Sequence, residues 1–539
     1  MNNFHEQVEN YLHDKSASEL RRIIVEIASK LSNQEQENFL ATLASKQIVV
    51  KKDNRIYDQS TVLDNIRGML ETIERYSIEA YYYDNWDDDG YTIDDDDGFC
   101  NDFEKCYIQA IGLLEQGLYS EAAEAIDLLF AIIQRFDDFF DNEGLCFDMF
   151  IDEGELNVDI RKLWILNGYS NLMSQSDSDI LETLGRIFYR KNHHGDAITF
   201  EEVLHAGSEP VPDFEKALGL WLSVLEKFPP RETSAYYKEA AILARNIDIM
   251  KTFATTTGVA EPSAYIDLCT LYMEQGHVSD NEIISLAVAG LNNTTTSSYR
   301  RTQLASFLAG RAYAANDNEV YTFALAEKFY SSMRAGDFIP IYKMGDADVI
   351  QNVTNKMDSM TRSSNRDVDY YIVHFLNKNY DMVFDAVKSD KKTLGWSGST
   401  KGAILPYFIG LLAGFNENAR MIPNMLKHGF TDSEAADMYS LLRNNVESVD
   451  FAQADVWHEW CVSEVGKRTD ALVSGQHRGS YFKAAYLLVA ICEVMINKGE
   501  LNPYEIIHTY KAKYPRHSAF ASELRTALVD IAKIKHVKI

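Results

Sequence analysis

The sequence predicts an all-α protein, an α-solenoid of stacked antiparallel helical hairpins set out in two or three segments. Three observations lead there. Residues 102–136 carry two helical apolar stripes joined by a tight turn: Tyr107, Ile108, Ile111, Leu113 and Leu114 form the first, Gly117 breaks it, and Tyr119, Ala122, Ala123, Ile126, Leu129, Phe130 and Ile133 form the second. A hairpin of this kind cannot bury both of its faces alone, so it must stack on neighbours. None of the ten prolines precedes Pro210, and a proline inside a helix costs about 3 kcal/mol, which leaves the first two hundred residues free to be helical. The third observation is negative: no segment shows the pattern of a parallel strand.

Taken in order, Ser16 and Glu19 fit a capping box ahead of Leu20, Ile23, Ile24, Ile27 and Leu31, which share one helix face. A shorter helix over 34–44 packs Phe39, Leu40 and Leu43 back on it, and a basic connection follows. Ser60 starts a helix whose Leu63, Ile66, Leu70 and Ile73 recur every three or four residues. The pattern then changes. Residues 81–99 hold eight aspartates among six aromatic residues, and like charges this dense oppose a helix, so an exposed loop is expected. After the hairpin, residues 137–155 read as a second acidic, aromatic connection.

Helices follow over 162–169, 180–189 and 214–228, the last stopped by Pro229 and Pro230. Helix pairs then recur through 234–291 and 302–333. Residues 339–366, rich in Ser, Thr, Asn and Asp in their second half, form the best hinge, centred on 357–366. Further helices are expected over 369–375, 382–387, 404–414, 421–428, 434–443 and 454–465. A long apolar helix over 478–498 ends at Gly499, and helices over 504–514 and 520–534 close the chain. The expected segments are 1–58, an N-terminal hairpin with its basic connection; 59–160, the hairpin with acidic loops; 161–345, helical repeats; and 346–539, C-terminal helical repeats.

Ala110, Gly117, Tyr119, Ala122 and Ile126 stand at the mutual spacings of a tetratricopeptide repeat, which the unit resembles. It departs from that pattern where Cys106 replaces the first-helix Trp and where no proline follows the second helix. Fainter echoes occur at Gly276 and Val278, and at Gly499 and Leu501 with Pro515. A second resemblance joins the hairpin and its acidic exit to residues 477–524, which look like the helical region accompanying SWIM zinc-finger domains in some bacterial proteins. The zinc motif, C-x-C followed by C-x-H, is absent, so zinc and nucleic-acid binding do not carry over.

Eighty-one acidic against 52 basic residues give a formal net charge of -29, which disfavours nucleic acid or an anionic membrane surface and favours a protein partner with a basic surface. Six cysteines without a C-x-x-C pair, and no apolar signal region, are expected of a cytoplasmic chain. Asn85, Asp87, Asp89 and Asp96 fall near calcium-loop spacing, although the loop would begin with Asn and end with Asp instead of Glu. The plainer reading of the acidic segments is a solvated surface or a docking site, for which the candidates are Tyr83, Asp84, Trp86, Asp88, Asp94, Asp95, Asp137, Asp138 and Asp141.

His458 and Cys461, beside Trp457 and Trp460, read as core packing more than as metal ligands. His193 and His194 read as a loop, too close to Arg190 for a helical ribonuclease. Residues 395–402 lack the spacing of a phosphate loop. No cofactor is implied. The expected function is therefore a non-catalytic scaffold or adaptor. Its alternatives are a metal-dependent hydrolase or nuclease using the aspartate clusters, and a regulated substrate or inhibitor subunit of a bacterial multi-protein system.

Overall fold

The computed structural model describes residues 56–85, 88–140, 145–152, 154–174, 177–194, 197–276, 278–294, 298–360, 367–390, 399–415, 430–446 and 451–535. The expected helices over 16–31, 34–44 and 421–428 lie outside these residues, as does 361–366 of the expected hinge. The chain divides into two compact units between Val224 and Leu225. The fold is all-α, with a single two-stranded hairpin among the described residues.

Unit one contains α1 (Gln59–Thr72), β1 (Ile78–Asn85), β2 (Asp88–Asp95), α2 (Phe99–Glu115), α3 (Tyr119–Phe140), α4 (Phe147–Asp152), α5 (Ile160–Ser174), α6 (Asp177–His194), α7 (Phe200–Leu204) and most of α8 (Phe214–Leu225). The hairpin read from sequence is α2 and α3. Gly117 takes a left-handed φ of 77°, and the turn closes as Gly117 N donates to Leu114 O at 2.9 Å and Leu118 N to Leu113 O at 3.0 Å. Their buried stripes meet in a phenylalanine core. The ring centroids of Phe99 and Phe136 are 4.9 Å apart, those of Phe103 and Phe147 4.8 Å, and those of Phe136 and Phe150 5.3 Å. Aromatic pairs at such distances add to the energy of burial alone. On the other side of α3, Phe130 stacks on Trp164 of α5 at 3.8 Å.

Two expected connections contain regular structure among the described residues. Residues 81–99 are not a loop: most form β1 and β2, paired antiparallel from Ile78 with Asp95 to Asn85 with Asp88. Tyr, Thr and Ile favour the extended backbone. Ile78 and Ile93 are buried and anchor the pair. In the second segment, α3 continues four residues past Phe136 to bury Phe140, and α4 supplies Phe147 and Phe150. The apolar contacts outweigh the charge of the intervening aspartates. The loop expected at His193 and His194 is likewise the end of α6.

Unit two contains α9 (Pro230–Leu243), α10 (Asp248–Thr255), α11 (Pro262–Gln275), α12 (Asp280–Asn293), α13 (Tyr299–Ala314), α14 (Asn318–Ser332), α15 (Ala335–Lys343), α16 (Ala347–Ser359), α17 (Asp367–Leu376), α18 (Tyr380–Ser389), α19 (Thr400–Leu412), α20 (Asp432–Asn444), α21 (Phe451–Ser474), α22 (Tyr481–Asn497), α23 (Glu505–Lys513) and α24 (Ser518–Lys535). Helices pack on their successors and again on the helix after that: α9 touches α11, α11 touches α13, and the chain of contacts resumes from α15 through α17 to α19. Residues 478–497 are long and apolar enough to cross a membrane, but 61% of that window is buried inside the protein, where α22 forms the spine of the core. The expected hinge is largely helical. Asp346 caps α16 by accepting from Asp348 N and Val349 N, and Val353, Thr354 and Met357 turn inward, with Thr354 Oγ1 accepting from Asn377 Nδ2 at 2.8 Å.

Candidate functional site

The acidic residues gather where β2 leads into α2. Gly98 sits in the left-handed region at φ 76° and offers no side-chain cap, so the first amides of α2 need another acceptor. Asp95 supplies it: Oδ1 accepts from Phe99 N at 2.7 Å and Oδ2 from Cys100 N at 2.8 Å. Asp97 accepts from Ser77 N at 2.9 Å. Asp102 accepts from the Tyr76 hydroxyl at 3.2 Å and from Lys105 Nζ at 3.0 Å. Glu104 accepts from Asn157 N at 2.8 Å, which ties α2 to the chain beyond α4.

Cys100 marks the place where the acids meet. Burial drives its thiol far above the ordinary range, and Asp95, Glu155 and Glu104 push in the same direction. One carboxylate comes from the hairpin, one from α2 and one from the second acidic segment. Tyr76 is pushed up to about 12 by burial and then by Asp102. Burial raises Cys106 to about 11, again with Asp102 adding to it. These are signs of a negative local potential.

The predicted docking residues separate by role. Asp94, Asp96 and Asp138 are exposed, as are Asp148 and Asp152. Asp95 is a helix cap, and Asp137 is another, since its Oδ1 accepts from Phe147 N at 2.7 Å and starts α4. Tyr83, Asp84 and Asp88 lie in the strands, opposite Gly90, Asp89 and Asn85 respectively. Trp86, Asp87 and Asp141 lie outside the described residues.

The strands place Asn85 at the tip of the hairpin and Asp96 just beyond its base. Asp89 lies in β2, and the backbone from Asp89 to Asp95 is extended. Among the described residues no group of three or more His, Cys, Asp or Glu side chains is placed to hold a metal ion.

Elsewhere, Cys461 and Trp457 are buried, with Trp457 packed on Tyr380 at 5.9 Å and on Phe408 at 5.5 Å. That is the core packing expected for them. In the Gly-rich segment residues 391–398 lie outside the described residues, while Ser399 caps α19 by accepting from Gly402 N and Lys401 lies buried 3.6 Å from Glu464.

Sequence reasoning missed a polar seam in unit one. Asn167, Ser170 and Asn171 of α5 are buried against α3 and α6. Asn167 Nδ2 donates to Asp127 Oδ1 at 3.3 Å, and Arg186 Nη2 donates to the same oxygen at 3.1 Å. Burial raises the Asp127 carboxyl despite the lowering effect of Arg186. The available signal was the mixed polarity of α5, which has no purely apolar stripe. A small cavity of about 90 Å³ lies beside Leu172, Ile180, Lys216 and Leu220.

No known protein family matches the chain, and no curated protein matches it.

Proposed function

We infer that the chain is a helical-repeat adaptor of the tetratricopeptide-like kind, which holds a protein partner through a basic surface of that partner. The reading rests on one observation above others: the hairpin, α2 and the second acidic segment bring Asp95, Glu104 and Glu155 around Cys100, with Asp94, Asp96, Asp138, Asp148 and Asp152 exposed in the same segments. Carboxylates gathered this way attract a cationic surface and set its orientation more than they add raw affinity. The packing of helices on their second neighbours supports the repeat reading, since stacked hairpins bury their faces against the units before and after.

Affinity capture from the native cell tests it, using the intact chain and a variant with Asp94→Asn, Asp96→Asn, Asp138→Asn and Asp148→Asn. These carboxylates do not cap helices, so the fold is kept. A reproducible partner held at low salt, released at high salt and lost by the variant is the expected result. A chain that recovers no such partner overturns the reading.

A further inference from the structure

Charge is distributed unevenly along this chain. Residues 466–539 hold 12 Lys and Arg against six Asp and Glu, a net of +6, whereas the 465 residues before them hold 40 against 75, a net of -35. An inversion of sign within one chain marks a segment whose partners differ from those of the rest.

Packing gathers part of the cationic excess at one end of unit two, where α21 and α23 finish and α22 and α24 begin. Ser474 Oγ lies 3.1 Å from the Tyr514 hydroxyl, the Tyr481 hydroxyl lies 3.4 Å from His517 Nδ1, and the ring centroids of Tyr481 and Phe520 are 5.8 Å apart. These contacts bring together the short stretches that bear Arg478, Lys511, Lys513 and Arg516. Lys513 is paired with Asp470 at 2.7 Å, while Arg478, Lys511 and Arg516 form no ion pair among the described residues. Arg478 and Arg516 are exposed, and the first turns of α22 and α24 carry no acid. A guanidinium left in this state suits a carboxylate, which it can hold through two parallel N–H donors.

The chain itself supplies such carboxylates, because Asp94, Asp96, Asp97, Asp138, Asp148 and Asp152 are exposed in unit one. Two copies repel each other as wholes. At about 0.1 M salt, however, the Debye length is about 10 Å, so charges outside a contact are screened and the local match decides. Opposite patches on one chain match between copies in a head-to-tail, heterologous contact.

We propose that the cationic end of unit two, with Arg478 and Arg516 at its surface, docks on the acidic segments of unit one in a second copy of this chain. The proposal rests on the docking role inferred above and names a basic-surfaced partner for it.

Sedimentation equilibrium of the full-length chain, at about 0.1 M and about 0.5 M salt, provides the test. Self-association at the lower salt and its loss at the higher are expected. A cationic-end variant with Arg478→Glu and Arg516→Glu, and an acidic-segment variant with Asp94→Asn, Asp96→Asn, Asp138→Asn and Asp148→Asn, are each expected to self-associate at least about tenfold more weakly. Mixed together, the two variants should form a dimer of one of each, since each keeps the patch that the other lacks, and that dimer also shows that both are folded. A chain that stays monomeric at the lower salt overturns the proposal, and so does self-association that the cationic-end variant leaves unchanged. If a monomeric chain still captures a basic partner from the cell, self-docking alone is overturned and the acidic docking role stands. No self-association and no captured partner removes both. A monomeric chain that binds a fluorescent oligonucleotide, with the binding lost in the cationic-end variant, replaces the second copy by nucleic acid and overturns the proposal.

Discussion

Asp95 and Phe99 are joined at 2.7 Å, with the carboxylate at the end of β2 accepting the first amide of α2, and the second oxygen of the same group takes the amide of Cys100. The contact links the hairpin to the helix that carries Phe99 and Phe103 into the core. Replacing Asp95 by Ala leaves both amides without that acceptor and is expected to destabilise the chain by about 0.5–2 kcal/mol. Asp94→Ala, at the exposed neighbouring position, is expected to change stability by less than about 0.5 kcal/mol. Thermal or urea unfolding of the full chain compares the two, and equal losses would show that the cap contributes nothing.

Arg301 makes a sharper prediction. It is buried, its Nη1 donates to Leu291 O at 2.7 Å and to both oxygens of Thr294, and its Nη2 reaches Glu327, which Lys356 also contacts at 3.2 Å. Arg301→Ala takes this donor from two carbonyls and leaves the mostly buried Glu327 with Lys356 alone, an expected loss of about 3 kcal/mol, the low end for a broken buried pair. Arg301→Lys keeps the charge but not the planar fork, so most of the loss should remain. Unfolding of the three proteins side by side measures it.

Glu202 links stability to pH. Burial by itself raises its pKa, but hydrogen bonds from Thr199 N, Arg161 and the Thr199 hydroxyl outweigh this and hold the carboxyl below the ordinary glutamate value. A group depressed in the folded state contributes stability that is present above its unfolded pKa, about 4.3, and is lost as pH falls through the folded pKa. Glu202→Gln should therefore lower stability at neutral pH and flatten its decline below about pH 4.3. Unfolding curves at several pH values for both proteins would reveal parallel declines if the carboxylate has no such role.

The cysteines should divide by reactivity. Cys100, Cys106, Cys269, Cys461 and Cys492 are buried, whereas Cys146 is exposed. Burial pushes Cys269 and Cys492 up to about 12, so few of these thiols are ionised near neutral pH. Iodoacetamide applied to the native chain is expected to label Cys146 first and by a wide margin, as read by peptide mass spectrometry. Comparable early labelling of Cys269 would contradict the packing between α11 and α12.

Much of unit one was legible in its residues. The apolar spacing from Tyr107 to Leu114 and from Tyr119 to Ile133 located α2 and α3, and Gly117 located the turn between them, because helix periodicity and a left-handed glycine are local properties. Pro229 and Pro230 marked the end of α8 within a few residues for the same reason. The hairpin before α2 was hidden. Its apolar anchors, Ile78 and Ile93, stand at its two ends, and the aspartates between them suggested solvent more strongly than the tyrosines suggested a strand. The end of α3 was hidden too, since Phe140 earns its place in the helix only through Phe136 and the core that α4 completes.

By itself the sequence determined that this is a helical protein with an acidic, aromatic segment on each side of its clearest hairpin, since composition, periodicity and turn residues act over a few positions. Only the tertiary structure decided what each acid does. Asp94 and Asp138 face solvent, while their neighbours Asp95 and Asp137 cap helices that begin four and ten residues further on. The physical reason is that a carboxylate's role depends on which amide it reaches, and that is settled by the packing of the phenylalanine core.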